Sequence, residues 1–146
     1  MRKKSLTLAL ASVLSFAAFA VYAHSGATGI VKDRMDNFKQ AKQSMKAIKQ
    51  AIKAPNFPKI TRESEKLVKW GEEMLNYFPE GSNQKPSDAM PLIWQEWSRF
   101  DDHRQTYLEY SNTLMESAKA QDLDGVTNSY GGLAKSCKAC HDRYKD

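Results

Sequence analysis

The sequence predicts an all-α fold, an antiparallel four-helix bundle. Three observations predict it. Four stretches carry apolar residues three or four positions apart, the spacing of one helix face. No strand pattern of the βαβ kind interrupts them. The connections are mostly short, which sets successive helices antiparallel. The chain has 146 residues, 41% hydrophobic and 27% charged, with no repeat or low-complexity tract. A chain of that size makes one domain.

The first helix is expected over about 29–53. Val31, Met35, Phe38, Ala41, Met45, Ile48 and Ile52 form one unbroken stripe, and lysines and glutamines fill the other face. That lysine-rich face is ordinary solvent-facing surface. Pro55 and Pro58 are expected to end this helix. The second is expected over about 61–77, with Leu67, Trp70, Met74 and Tyr77 on one face and Thr61 as its N-cap. A loop rich in Pro, Gly and polar residues follows over 78–87. The third helix is expected over about 89–120, with Pro91 in its first turn. Ile93, Trp97, Phe100, Tyr107, Leu114 and Ala118 keep its spacing. The fourth is expected over about 123–144, through Val126, Tyr130, Leu133, Cys137, Cys140 and Tyr144. Gly131 and Gly132 weaken it by about 1 kcal/mol each relative to Ala. They also permit a close approach by a neighbouring group.

The N-terminus reads as a secretory leader over 1–23. Arg2, Lys3 and Lys4 precede an apolar run from Leu6 to Val21. Val21-Tyr22-Ala23 places small residues before a cut after Ala23. The apolar run is short for a span of about 20 residues. The mature domain is then 24–146, exported to a bacterial periplasm. Three of the 22 basic residues lie in the leader and none of the 17 acidic ones, so the formal charge falls from +5 to +2. Neither nucleic-acid binding nor membrane binding of the mature form is expected.

The chemistry concentrates in Cys137-Lys138-Ala139-Cys140-His141. This is C-x-x-C-H, the attachment pattern of a c-type haem. Each thiol adds to one vinyl group, and the histidine binds the iron. On a helix the three side chains share a face. A disulfide would use both cysteines of the chain. A thioredoxin-like pair belongs at a helix start near a βαβ unit. A zinc site needs further ligands, which His24 and His103 do not supply. One covalent haem c per chain is the expectation, so the bundle is one that carries haem. His103 lies in a charged run with Asp101, Asp102 and Arg104, the pattern of a solvated helix face. Trp70, Trp94 and Trp97 are expected to pack in the core or on the haem.

The domain resembles the cytochrome c′ family, the class II c-type cytochromes. The resemblance rests on the C-terminal Cys137-Lys138-Ala139-Cys140-His141-Asp142-Arg143-Tyr144-Lys145. It is supported by Arg34-Met35-Asp36-Asn37-Phe38, by Asn76-Tyr77-Phe78-Pro79 and by Ile93-Trp94. Cytochrome c′ is itself a known up-down-up-down bundle. The resemblance implies that Cys137 and Cys140 form the thioethers and that His141 is the axial iron ligand. It places Arg34 beside a haem propionate and Phe38 over the distal face. Lys145 stands where many members have arginine, which keeps the charge and loses the planar fork of donors.

An apolar residue at Phe38 implies five-coordinate, high-spin iron. Met35 is the rival sixth ligand, one turn away, and Met45 a remoter one, although core packing is the expectation for both. The implied function is electron transfer with periplasmic redox partners, without enzymatic turnover. The distal side offers no evident His–Arg pair for breaking an O–O bond. The alternative is an NO- or CO-binding haem protein, because an apolar distal side lacks donors to hold O₂. A homodimer is expected from the resemblance alone.

Overall fold

The computed structural model describes residues 26–146. The leader over 1–23 and His24 lie outside the described residues. Helix α1 spans Gly29–Lys53, as the stripe predicts. Its buried side includes Ile48 and Ala51, with Phe38, Ala41, Met45 and Ile52 packed against the core. Pro55 lies just beyond its end.

Helix α2 spans Phe57–Glu73, four residues earlier than expected. Asn56, not Thr61, is its N-cap, and Asn56 Oδ1 accepts from Lys59 N at 3.0 Å. Thr61 is already inside the helix and donates its hydroxyl to Phe57 O at 3.0 Å. Pro58 therefore opens this helix instead of closing the previous one. A first-turn proline lacks only an N–H that would have no intrahelical partner. A 3₁₀ turn over Met74–Tyr77 continues α2 into the loop.

The expected third helix is two. Helix α3 covers only Leu92–Gln95, and helix α4 covers Trp97–Lys119. Glu96 separates them at φ −122° and ψ 42°, outside the helical region. Residues 88–90 are not helical because their backbone is paired elsewhere. Met90 N donates to Tyr144 O and Asp146 N donates to Asp88 O, each at 2.9 Å. Ala89 and Lys145 form an isolated antiparallel bridge. The segment is a short ladder with the chain end, so it cannot also make helical bonds.

Helix α5 spans Leu123–Tyr144 and is capped by Asp122, whose Oδ1 accepts from Gly125 N at 3.0 Å. The two glycines differ. Gly131 faces open space, while a Cβ on Gly132 would meet the Tyr110 ring at 2.2 Å. It is a side chain of α4 that makes the close approach.

Helices α1, α2, α4 and α5 form the four-helix bundle. Among the described residues there is no β-strand beyond the isolated bridge, and no helix is long and apolar enough to cross a membrane. Helix α1 packs on α2, α2 on α4, and α4 on α5. The contact between α1 and α5 is sparse. Ile48, Ile60, Leu67, Leu114, Val126 and Leu133 are fully buried and fill the core. Buried Tyr107 ties two helices by donating its hydroxyl to Leu67 O at 3.1 Å. Burial pushes that phenol well above its ordinary value.

Candidate cofactor site

A cavity of about 700 Å³ opens where α1 and α5 face each other, with α2 and α4 completing its walls. This is the size range of small-molecule and cofactor pockets, roughly 300–1,000 Å³. Its walls are mostly apolar and aromatic, with Leu67, Met74, Ile93 and Phe100 among them.

Helix α5 brings Cys137, Cys140 and His141 to one side of this cavity. Both cysteines are free and half-buried. Burial raises the Cys137 thiol and pushes the Cys140 thiol up to about 11. Redox-active C-x-x-C pairs need the opposite shift, toward thiolate. No group of three or more His, Cys, Asp or Glu side chains that could hold a metal ion occurs among the described residues. Partial burial, with Lys145 nearby, holds the His141 imidazole below its ordinary value. Neutral imidazole is the form with a lone pair to give to a metal.

Helix α1 supplies the opposite side. The Phe38 ring faces the His141 ring, with centroids 6.2 Å apart. Two rings pack edge-on against Phe38, that of Trp70 at 5.0 Å and that of Phe78 at 6.3 Å. Phe38 is thus an α1 side chain that meets His141. Met35 and Met45 are half-buried and line the same cavity.

Arg34, one turn before Phe38, is only 3% exposed. Its Nη1 donates to Tyr77 O at 2.9 Å and to Ser82 Oγ at 2.8 Å. Its Nη2 donates to Ser82 O at 2.6 Å and to Ser87 Oγ at 2.7 Å. The guanidinium also lies 4.5 Å over the Phe78 ring. All four bonds end on neutral oxygens, so a buried positive charge borders the cavity without a carboxylate among its hydrogen-bond partners. Burial lowers its pKa, though an arginine stays charged at any ordinary pH.

Lys145 lies at the rim, and its Nζ is 2.9 Å from Asp88 Oδ2. His103 and Arg104 also line the cavity, which corrects the expectation of a wholly solvated face for that run. His103 packs edge-on to Tyr144 at 5.7 Å. Arg104 is bound by Asp101 and donates to Gly71 O at 3.2 Å. Trp70 and Trp94 belong to or pack on the core, whereas Trp97 is 38% exposed, so the packing expected of all three holds for two.

Sequence reasoning missed Ser82 and Ser87 as the partners of Arg34, and Glu96 as the partner of Arg143 (Nε to Oε2, 2.7 Å). Their separations of 47 to 53 residues leave no periodic signal. It also missed the Trp70 Nε1–H, which is buried and unpartnered.

The donor set fits a haem. A flat apolar group with an acidic edge suits an apolar cavity lined by two thiols, the imidazoles of His141 and His103, and the buried Arg34 cation. The bundle and its cavity define a class, helical proteins that carry a cofactor between facing helices. Comparison with known proteins narrows the class. The cytochrome c′ family model matches residues 29–145. A cytochrome c′ from Alcaligenes xylosoxydans xylosoxydans is 35% identical over 65 residues. That alignment covers 44% of this chain and about half, 51%, of the curated relative's length.

Two solved structures show the same fold. One is a cytochrome c′ described as having an unusual ligand-controlled dimer dissociation. Its TM-score is 0.75 at 17% identity, over 80% of this chain and 93% of that one. The other is the nitric oxide complex of a mutant cytochrome c′ from Alcaligenes xylosoxidans. Its TM-score is 0.73 at 26% identity, over the same 80% and 93%. The chain belongs to the cytochrome c′ family, a family of haem proteins.

Proposed function

We propose that this chain is a periplasmic mono-haem c-type cytochrome that carries single electrons. Cys137 and Cys140 would hold haem c as thioethers, and His141 would bind its iron from the α5 side. Bound haem supplies a one-electron iron couple in a site whose polarity and access the protein controls. The observation that carries the proposal is the edge-on pairing of Phe38 with His141 in the cavity wall, with ring centroids 6.2 Å apart. A phenyl ring cannot coordinate iron, so the α1 side shields the metal and the iron is five-coordinate and high-spin. Met35 remains the alternative sixth ligand. Arg34 would meet a haem propionate with a charge the fold already keeps buried.

The C-x-x-C-H segment, the leader over 1–23 and the family together support export to the periplasm. Redox partners there would exchange the electron, and no turnover is proposed. In support, His103 is engaged with Tyr144, and Arg104 with Asp101. Oxidised and reduced absorption spectra of the exported protein test the proposal. Broad high-spin bands support it, and a low-spin spectrum with a methionine-to-iron band near about 695 nm overturns the five-coordinate form.

A second function, binding of NO or CO, is favoured by the apolar wall around Phe38 and by the nitric oxide complex of the similar protein. Stopped-flow oxidation by redox partners, set against NO affinity, separates the two. A homodimer completes the proposal, and sedimentation of the holoprotein decides it.

A further inference from the structure

Helix α1 carries an unbalanced row of charge beside the cavity. Lys39, Lys42, Lys46, Lys49 and Lys53 follow one another at steps of 3, 4, 3 and 4, so they share one face of the helix. The row is about 21 Å long at about 1.5 Å per residue. All five are exposed, and residues 37–53 hold no Asp or Glu. None of the five forms an ion pair among the described residues. Lys39 acts on Asp36 through space, but Asp36 is itself paired with Lys32. The exposed Lys66, Lys69, Lys119 and Lys138, by contrast, each have a carboxylate one turn away. Outside the row the described residues hold more acidic groups than basic ones, 17 against 14.

The row begins at the site. Lys39 and Lys42 line the cavity and are exposed, so they stand at its rim on either side of the turn that follows Phe38. Charge of one sign beside a cleft draws in the opposite charge and speeds encounter by about 10 to 1,000-fold. A bilayer does not fit the row. The apolar stripe of α1 faces the core, which leaves the helix no free apolar face to bury among lipids. A second copy of this chain does not fit either, because a two-fold contact through the row sets lysine against lysine.

We propose that the row is the docking surface for an acidic redox protein, which it steers to the cavity rim for exchange of a single electron. The inference rests on the electron-transfer reading above. One electron passes from the reduced partner to ferric iron, and no bond forms or breaks. Redox encounters are small and transient, so steering sets their rate more than buried area does.

The test uses exported protein whose mass shows attached haem and whose iron dithionite reduces. Iron that dithionite leaves ferric counts against the proposed function and not against the row. Stopped flow then follows reduction by an acidic plant-type ferredoxin, the probe partner, at about −400 mV. The rate is expected to fall steeply between about 0.01 and 1 M salt, as the Debye length shrinks from about 30 to about 3 Å. At about 0.1 M salt only charges within about 10 Å of the contact are felt. There Lys42→Gln/Lys46→Gln/Lys49→Gln is expected to react about tenfold more slowly than wild type. Glutamine keeps the helix propensity of lysine. The control Lys66→Gln/Lys69→Gln/Lys119→Gln loses the same formal charge elsewhere and is expected to stay within about twofold. Equal losses in the two variants, or a rate indifferent to salt, overturn the proposal. So does a loss accounted for by a lower reduction potential, which assigns the effect to driving force. Vesicles of phosphatidylcholine and phosphatidylglycerol that retain wild type but not the row variant at the same salt give the row to a membrane, and likewise overturn it.

Discussion

Arg34 shows how one side chain links the fold to the site. It gathers Tyr77, Ser82 and Ser87 around a single guanidinium and so shapes the loop that borders the cavity. Arg34→Met removes the guanidinium and leaves buried neutral oxygens unpaired, a loss of about 1–3 kcal/mol. Thermal unfolding of the holoprotein checks this. Phe38 makes a different prediction. Phe38→Met places a thioether opposite His141, and a high-spin spectrum should turn low-spin. An unchanged spectrum would mean that Phe38 does not face the iron. At Cys137 and Cys140 the double change to Ser should abolish attachment while the exported chain persists, which intact mass reads directly.

Among the elements, α1 and α5 were legible to the residue because their apolar spacing runs unbroken from end to end. The start of α2 was not. Asn56 and Thr61 are both capable caps, and only the packed structure shows which one receives a backbone N–H. The split at Glu96 left no trace in the spacing, since Ile93, Trp97 and Phe100 keep one face across it. The partner of Glu96 lies far away in sequence, in Arg143. Arg143 holds the Glu96 carboxylate below the ordinary range. A carboxyl depressed in the folded state stabilises the fold above its unfolded pKa. That contribution is lost as pH falls through the folded value. Glu96→Gln should therefore melt below wild type at neutral pH and converge with it under acid, as melting curves from about pH 3 to 7 would show. The turn between α4 and α5 offers a gain instead. Gln121 sits at φ 56°, where a side chain costs about 1–2 kcal/mol. Gln121→Gly should raise the melting temperature.

Taken together, the bundle and the cofactor site were both readable from the chain, for different reasons. The helices follow from periodicity, and the attachment segment from chemistry confined to five residues. The walls of the cavity were less readable. Met35, Phe38 and Met45 look alike as stripe residues, and only packing sets the Phe38 ring against His141. The core itself is ordinary in its energetics. Leu114 is fully buried, and Leu114→Ala should cost about 2–5 kcal/mol in denaturant unfolding.

The thin contact between α1 and α5 bears on the order in which the domain assembles. Helices α2, α4 and α5 dock through neighbours in sequence, which is the quick part of folding. Helix α1 leans mainly on α2 and the 3₁₀ turn that follows it until something spans the gap to α5. Its amides should trade protons with solvent soonest, and a porphyrin seated between the two helices should slow that exchange more in α1 than anywhere else. The prosthetic group would then serve this domain as its final staple.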